Sequence, residues 1–170
     1  MQVDWSVWPE PVLRAPSPSG DRSRAADTPP TTATSRTASV AEFKDFITLT
    51  DPSIIQPDIT RCGGISEAVH IARIARRTDT RLVPHGFSTG ILLAATVQFL
   101  ASQDGCDLIE YSQSSSPLFK DLVTNLIPLD DGQVVVPDTP GLGVKLDEDL
   151  IERYRVDVSL DARKRVFIEA

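Results

Sequence analysis

Three short apolar runs in this chain each hold an acid or base residue at or near their carboxyl end. The first run ends in Asp58 and the second in His85, and glycine precedes the helical pattern that follows each of them. A third run, residues 107–111, holds Glu110 in the corresponding place. Apolar strands alternating with helices are typical of a parallel sheet covered on both faces, and (β/α) barrels display catalytic residues at the carboxyl ends of such strands. The runs therefore predict an α/β fold with these three side chains together at one edge of the sheet.

The chain divides by composition near residue 38. Residues 1–37 are rich in Pro, Ser, Thr and Arg and have no apolar periodicity. Such a segment cannot bury enough surface to offset the entropy of ordering, so we expect disorder. Residues 38–112 carry the three runs, and helical spacing of apolar residues predicts helices at 41–49, 66–77 and 89–101. The third of these helices is apolar almost all round, which predicts burial on more than one side.

The part from residue 113 to residue 156 has a different pattern. Apolar stretches flank Asp131 and Gly132, a pair typical of a tight β-hairpin turn. Asp147 precedes a short apolar-periodic stretch and is an expected helix cap. The tail, residues 157–170, has only a weak strand signal.

Length and charge limit the function classes. The 170 residues are fewer than the roughly 250 of a complete (β/α)₈ barrel, so any barrel formed here is partial. Lys and Arg number 17 against 24 Asp and Glu, and without a long basic run this balance argues against nucleic acid as a partner. The longest apolar stretch is too short to span a bilayer, and no export signal is visible. We therefore expect a soluble, cytoplasmic protein without a membrane partner. Cys62 and Cys106 lack the spacing of metal ligands.

Each of the three polar residues also has a structural interpretation. Asp58 alone is compatible with a turn or helix-capping aspartate. A lone histidine is more often structural than catalytic, although a pKa of about 6.5 makes His85 suited to general acid–base chemistry. Glu110 lies within an apolar run, where a buried carboxylate needs a partner. The position of all three on consecutive runs favours a shared site.

A competing interpretation is a serine hydrolase. Residues 86–90 fit the G-x-S-x-G pattern of a nucleophile elbow, with Ser88 as nucleophile between a strand and a helix. In that fold the histidine follows the serine, whereas His70 and His85 both precede it here. The order argues against the hydrolase, and Ser88 or Thr89 then serves as the cap of the following helix.

The combination of motifs resembles the mandelate racemase and muconate lactonizing enzyme branch of the enolase superfamily, over about residues 38–156. The stretches that carry it are QPDITRCGGI at 56–65, VPHGFSTGI at 83–91, Glu110-Tyr111, and PDTPGLG at 137–143. The resemblance implies a partial TIM-type barrel. The three runs would be its sixth, seventh and eighth strands, and the C-terminal segment would return to a capping domain.

The resemblance also implies roles and a cofactor. His85 would be the general base that removes the proton α to the carboxylate of a sugar acid, and Asp58 would orient its imidazole. Glu110 would hydrogen-bond the carboxylate as it becomes an enediolate. Mg²⁺ would neutralise the charge as a Lewis acid. Many members of the branch dehydrate acid sugars.

The expected metal ligands are missing. The family holds Mg²⁺ with carboxylates on its third, fourth and fifth strands. The stretch Trp8-Pro9-Glu10-Pro11 resembles the fourth-strand motif Trp-x-Glu-Glu-Pro, but Pro9 takes the place of the ligand glutamate. Counting on along the chain from this motif without gaps, Ser35 falls at the position of the fifth-strand ligand. We therefore expect this chain not to bind Mg²⁺ by itself. The chain matches the spacing of the family's motifs on both sides of residues 9–37, although the residues between are unrelated. This suggests that residues 9–37 are translated in a shifted reading frame that is restored near Ala38.

These features predict a C-terminal fragment of a mandelate-racemase-like enzyme that is inactive alone. The alternative is a non-catalytic module that associates with another chain. An open parallel sheet leaves an unpaired edge, and apolar surface that would face the barrel interior is exposed. We expect self-association and marginal stability.

Overall fold

The chain alternates short strands with helices in the part that the computed structural model describes, residues 32–33 and 37–156. The elements are β1 Thr32–Ala33, α1 Val40–Thr50, β2 Ile54–Ile55, α2 Ile65–Arg77, β3 Arg81–Leu82, α3 Gly90–Ala101, α4 Pro117–Lys120, β4 Leu129–Asp130, β5 Gln133–Val134 and α5 Glu148–Arg153. The first three strands form a parallel sheet in the order β1-β2-β3, and β4 and β5 form an antiparallel hairpin. The architecture is therefore mixed α/β with a partial parallel sheet.

The three longer helices confirm the predicted helices to within a residue at each end. Ser39 caps α1 and Thr89 caps α3, each accepting a hydrogen bond from a backbone N–H of the first turn. Helix α2 begins after Gly64, and its three arginines lie exposed towards its C-terminal end, where the helix dipole favours cations. None of the helices in the described part of the chain is long and apolar enough to cross a bilayer.

Helix α3 lies between two hydrophobic clusters, as its apolar character predicts. The first cluster includes Leu92 and Phe99 of α3 with Phe43, Ile55 and Ile71. The second includes Leu93 and Val97 of α3 with Phe119 and Ile127. Opposite sides of one helix are thus buried at once, so α3 joins the sheet and its two preceding helices to the C-terminal part of the fold.

Hydrogen bonding between β2 and β3 continues beyond the assigned strands. Val83 N–H donates to Ile55 O at 3.0 Å, and His85 N–H donates to Pro57 O at 3.1 Å. This continuation fixes the register at the carboxyl ends of the two strands. The residues that follow Pro57 and the side chain of His85 are therefore brought to the same edge of the sheet.

Part of the expected disordered segment pairs with the sheet. Thr32 and Ala33 of β1 lie in register with Ile54 and Ile55. Residues 1–31 and 34–36 of that segment lie outside the described residues, as does the predicted strand in the tail at 157–170.

The third predicted strand does not form. Residues 107–111 are not a strand, and among the described residues a single backbone hydrogen bond of 3.4 Å, from Glu110 N–H to Pro84 O, joins them to the segment that continues β3. A strand is held by repeated ladder bonds, so one bond leaves this run outside the sheet. Arg81 forms an exposed ion pair with Asp107 at 3.0 Å at the start of the run.

The C-terminal part confirms the predicted hairpin and helix. Asp131 and Gly132 both have positive φ, 45° and 74°, as a two-residue type I′ turn requires. Asp147 caps α5 by accepting the N–H of Leu150 at 2.8 Å. Helix α4 was not predicted, although Ser116 as its cap followed by proline at its first position is a recognisable start signal.

Candidate active site

His85 and Asp58 meet at the carboxyl edge of the parallel sheet. His85 Nδ1 lies 3.0 Å from Asp58 Oδ2, a hydrogen-bonding distance. The strand register described above aligns His85 with Pro57, so the side chain of the next residue, Asp58, is placed beside the imidazole. The His85 side chain is 19% exposed and that of Asp58 is buried. One ring nitrogen therefore faces a buried carboxylate.

The carboxylate of Asp58 has a partner at each oxygen. Oδ1 accepts two hydrogen bonds from Thr60, from its backbone N–H at 2.8 Å and from its hydroxyl at 2.5 Å. Oδ2 faces His85, and Arg61 Nε lies 3.6 Å from the same oxygen. The bond to the backbone two residues on is the Asx turn typical of aspartate. Asp58 is therefore a turn residue and a partner of His85 at once, and it caps no helix.

Glu110 lies on the other side of the imidazole. Its Oε2 accepts the backbone N–H of Gly86 at 3.0 Å and lies 3.8 Å from His85 Nε2. The side chain is 41% exposed, so the expectation of a buried carboxylate is wrong. The run that holds Glu110 is not a covered strand, and water reaches the side chain for that reason. The structure thus brings all three predicted residues together, with His85 in the middle.

Gly86 is a contributor that sequence reasoning did not single out. A Cβ atom added at this position would lie 1.8 Å from the carbonyl oxygen of Glu110, far inside any allowed contact. Only glycine therefore lets the two backbones approach closely enough for the Gly86 N–H to reach the Glu110 carboxylate. The available signal was a glycine directly after the histidine, which indicates close backbone approach.

The arrangement is suited to proton transfer. An ionised carboxylate only accepts hydrogen bonds, so His85 Nδ1 donates to Asp58 and the neutral ring carries its lone pair on Nε2. That nitrogen points towards Glu110. A histidine held in one tautomer by a carboxylate, with its other nitrogen available, is a candidate general base.

Cys62 lies near the dyad formed by Asp58 and His85 but is unsuited to nucleophilic chemistry. Its side chain is buried, and its Sγ lies 3.9 Å from Gly64 O. Burial raises the pKa of the Cys62 thiol, and the nearby charge of Asp58 raises it further. The reactive thiolate is disfavoured on both grounds.

The hydrolase interpretation gains no support from the geometry. Ser88 is exposed, and no hydrogen bond among the described residues joins its hydroxyl to either histidine. Thr89, and not Ser88, caps α3 by accepting from Leu92 N–H.

The described residues do not fit a magnesium site. No group of three His, Cys, Asp or Glu side chains within residues 37–156 could hold a metal ion. The oxygens of Asp58 are engaged by Thr60 and His85, and Glu110 Oε2 is engaged by Gly86. Mg²⁺ requires oxygen ligands in near-octahedral array, and this edge of the sheet does not provide them.

A cavity of about 400 Å³ lies away from the dyad, between the end of α3, the run 107–111 and the β4–β5 hairpin. Its lining is mostly apolar and includes Leu100, Leu108 and Val134. Asp58, His85 and Glu110 do not line it. The candidate active site is thus an open edge and not this cavity.

Comparison with known proteins identifies the family. Residues 10–150 match the family model described as "Enolase C-terminal domain-like". The chain is 37% identical over 155 residues to D-galactonate dehydratase of Ralstonia nicotianae, covering 86% of this chain and 40% of the relative. It is 32% identical over 111 residues to D-galactarolactone cycloisomerase of Agrobacterium fabrum, covering 61% of this chain and 29% of the relative.

A solved structure of a mandelate racemase/muconate lactonizing enzyme from Jannaschia sp. CCS1 superposes with a TM-score of 0.68 at 30% identity, over 75% of this chain and 32% of that one. The chain thus spans well under half the length of these relatives. The resemblance read from the sequence motifs is confirmed. This chain belongs to the enolase C-terminal domain-like family, among relatives of the mandelate racemase type.

Proposed function

We propose that the chain is the C-terminal part of an enzyme that removes the proton α to the carboxylate of a sugar acid, with dehydration as the net reaction. The observation that carries the proposal is the position of His85 between two carboxylates, 3.0 Å from Asp58 and 3.8 Å from Glu110. The names of the relatives support the substrate class, because they include a D-galactonate dehydratase and a D-galactarolactone cycloisomerase. We place the protein in the cytoplasm.

Each residue has one role in the proposed reaction. His85 Nε2 takes the α proton, and Asp58 holds the imidazolium that results. Glu110 hydrogen-bonds the substrate carboxylate as negative charge grows on it. The β-hydroxyl then leaves with the proton returned by His85, so one C–H bond and one C–O bond break and one water forms.

We infer that the chain is inactive alone. It spans 40% of the dehydratase relative and 29% of the cycloisomerase. The described residues also offer no ligand set for Mg²⁺. The missing electrostatic stabilisation of the enediolate would be the main deficit.

We also infer that residues 9–37 are read in a shifted frame. The reason is the agreement of register on both sides of this segment, with Pro9 and Ser35 at the positions expected for metal ligands. Sequencing the genomic DNA over codons 1–40 tests this inference. Glutamate codons for both positions in alternative frames would support it, and their absence would contradict it.

The catalytic proposal is tested by transplanting the site. Residues 38–156 replace the corresponding segment of the Ralstonia nicotianae D-galactonate dehydratase, and dehydration of D-galactonate is measured. The hybrid should turn over, and His85→Asn should lower kcat by about 10²–10⁴-fold, the usual contribution of a general base. His70→Asn, at an exposed position on α2, is the matched control and should leave kcat unchanged. A hybrid whose kcat is the same with and without the His85→Asn substitution would exclude the proposed role.

A second candidate is a non-catalytic module that binds another chain. The run 107–111 favours it, because among the described residues a single backbone hydrogen bond joins the run to the segment that continues β3. Leu108 of the run is also 45% exposed. A partner strand could pair with this run and cover its apolar side chains. A module of this kind should co-purify with a different chain, whereas the fragment of an enzyme should associate only with itself.

A further inference from the structure

We propose that Thr60 is a positioning residue that fixes the carboxylate of Asp58 and, through it, the tautomer of His85. Thr60 donates two hydrogen bonds to the same oxygen of Asp58, from its backbone N–H at 2.8 Å and from its hydroxyl at 2.5 Å. The catalytic consequence rests on the proposed function. The tautomer itself can be measured without any activity.

The two Thr60 bonds orient the carboxylate plane. With Oδ1 held from one side by two donors, Oδ2 is turned towards His85 Nδ1 at 3.0 Å. Asp58 is buried, so few other orientations of its carboxylate would keep both oxygens hydrogen-bonded. An unpaired oxygen at a buried position is costly, which favours this one orientation.

The orientation of Asp58 decides which nitrogen of His85 carries the proton. In a neutral imidazole one nitrogen donates and the other accepts. A carboxylate oxygen facing Nδ1 requires a proton there, and the lone pair is left on Nε2, which lies towards Glu110. Rotation of the Asp58 carboxylate would weaken the Nδ1–H bond and let the proton populate Nε2, the wrong atom for a base.

Arg61 is the other candidate for this task, and its contact is weaker. Its Nε lies 3.6 Å from Asp58 Oδ2, beyond a good hydrogen bond, and its side chain is 57% exposed. Solvent screens such a pair, which typically contributes little. Arg61 also approaches the oxygen that faces His85, so it does not hold the opposite side of the carboxylate.

The simpler alternative is that Thr60 only closes the turn after Asp58. The backbone N–H bond alone makes that turn, and any residue except proline supplies it. The hydroxyl bond is additional. A turn role predicts some loss of stability on removing the hydroxyl but no change in the tautomer of His85.

The test is nitrogen-15 NMR of the full chain labelled at histidine, at a pH where the rings are neutral. The chain has two histidines, and exposed His70 on α2 serves as an internal reference. Thr60→Val removes the hydroxyl while keeping side-chain volume and the backbone donor. The ratio of Nδ1–H to Nε2–H tautomer at His85 should fall about threefold to tenfold, the size of one hydrogen bond. Thr60→Ser keeps a hydroxyl and should restore the ratio to within about twofold of the wild-type value, well inside the effect of losing one hydrogen bond.

Two further variants complete the design. Thr48→Val removes a hydroxyl that donates only to Lys44 O on α1, and Arg61→Gln removes the exposed cation; both should keep the wild-type ratio. Thr60→Ala removes the same hydroxyl and leaves a smaller side chain. If the valine variant does not fold, the tautomer ratio at His85 is measured in Thr60→Ala instead. An unchanged ratio in a folded variant without the hydroxyl would overturn the proposal. So would equal loss in Thr60→Ser.

The two proposals fail separately. If the hybrid enzyme shows no dehydration while the tautomer ratio responds to Thr60→Val, the proposed function is wrong and the positioning role stands. If the hybrid is active and its tautomer ratio is insensitive to Thr60, the positioning role is wrong.

Discussion

His85 and Asp58 are 27 positions apart in the chain, yet His85 Nδ1 lies 3.0 Å from Asp58 Oδ2. The contact follows from parallel pairing of the segments that precede them, since His85 N–H donates to the carbonyl of Pro57. Any change in this register by one residue would direct one side chain to the opposite face of the sheet. The contact between Asp58 and His85 therefore depends directly on the register of the parallel sheet.

Replacement of Asp58 by asparagine should destabilise the fold. The buried carboxylate accepts hydrogen bonds from Thr60 and His85, and an amide would direct N–H groups at one of these donors. We expect the free energy of unfolding in urea to fall by about 1–3 kcal/mol, the cost of an unsatisfied buried group. The control is Asp107→Asn, which breaks an exposed ion pair with Arg81 and should cost under about 1 kcal/mol. Equal losses in the two variants would contradict the assigned environment of Asp58.

Replacement of Gly86 by alanine should separate Glu110 from His85. The added methyl group would lie 1.8 Å from the Glu110 carbonyl oxygen, so one backbone must move. We expect a loss of stability above that of Gly105→Ala, where a Cβ meets open space and the cost is only backbone strain of about 1–2 kcal/mol. Thermal unfolding of the two variants, followed by circular dichroism, compares them. A Gly86→Ala variant as stable as Gly105→Ala would show that the close approach is absent.

The chain should self-associate through the run 107–111. Leu108 is 45% exposed there. Among the described residues, one backbone hydrogen bond joins the run to the segment that continues β3. Sedimentation velocity should show a weight-average mass that rises with concentration, and Leu108→Lys should weaken the association at least roughly tenfold, because a charge at an exposed edge opposes pairing. Leu49→Lys, at a more exposed position on α1, is the control and should have no effect. A monomer at all concentrations, with one sharp unfolding transition, would refute this prediction.

Stability should fall at alkaline pH partly because of Cys62. Burial and the charge of Asp58 raise the pKa of this thiol in the folded state. Above the ordinary thiol pKa of about 8.5 the unfolded chain loses the proton and the folded chain keeps it, so stability is fully present below that pH and declines as pH rises through the folded pKa. Urea unfolding between about pH 8 and pH 10, the range that spans the ordinary thiol pKa, should show a shallower decline for Cys62→Ala than for the wild type. An identical slope would indicate that the thiol titrates normally.

Local sequence patterns accounted for the helices because periodicity and capping are local. The near-complete apolar character of α3 predicted its burial on two sides, and Asp131-Gly132 predicted the hairpin. The meeting of Asp58 and His85 was also predictable, because parallel strands share their carboxyl edge.

Contacts that depend on tertiary placement were not predictable. The run 107–111 has the apolar character of a strand, but composition does not reveal whether a hydrogen-bonding neighbour is in register, and the strand is not formed. The Thr60 hydroxyl on Asp58 and the close approach of Gly86 to Glu110 depend on the path of two loops. Glu110 was expected to be buried, and its exposure follows from the missing strand.

The most direct measurement of the central claim is exchange of the substrate's α proton in D₂O, followed by proton NMR, in the hybrid enzyme that carries residues 38–156. This readout reports proton abstraction itself, before any hydroxyl is lost. We predict that the hybrid incorporates deuterium at the α carbon of a sugar acid, and that His85→Asn abolishes incorporation while His70→Asn does not. Undiminished deuterium incorporation by the His85→Asn hybrid would contradict the assignment of His85 as the base.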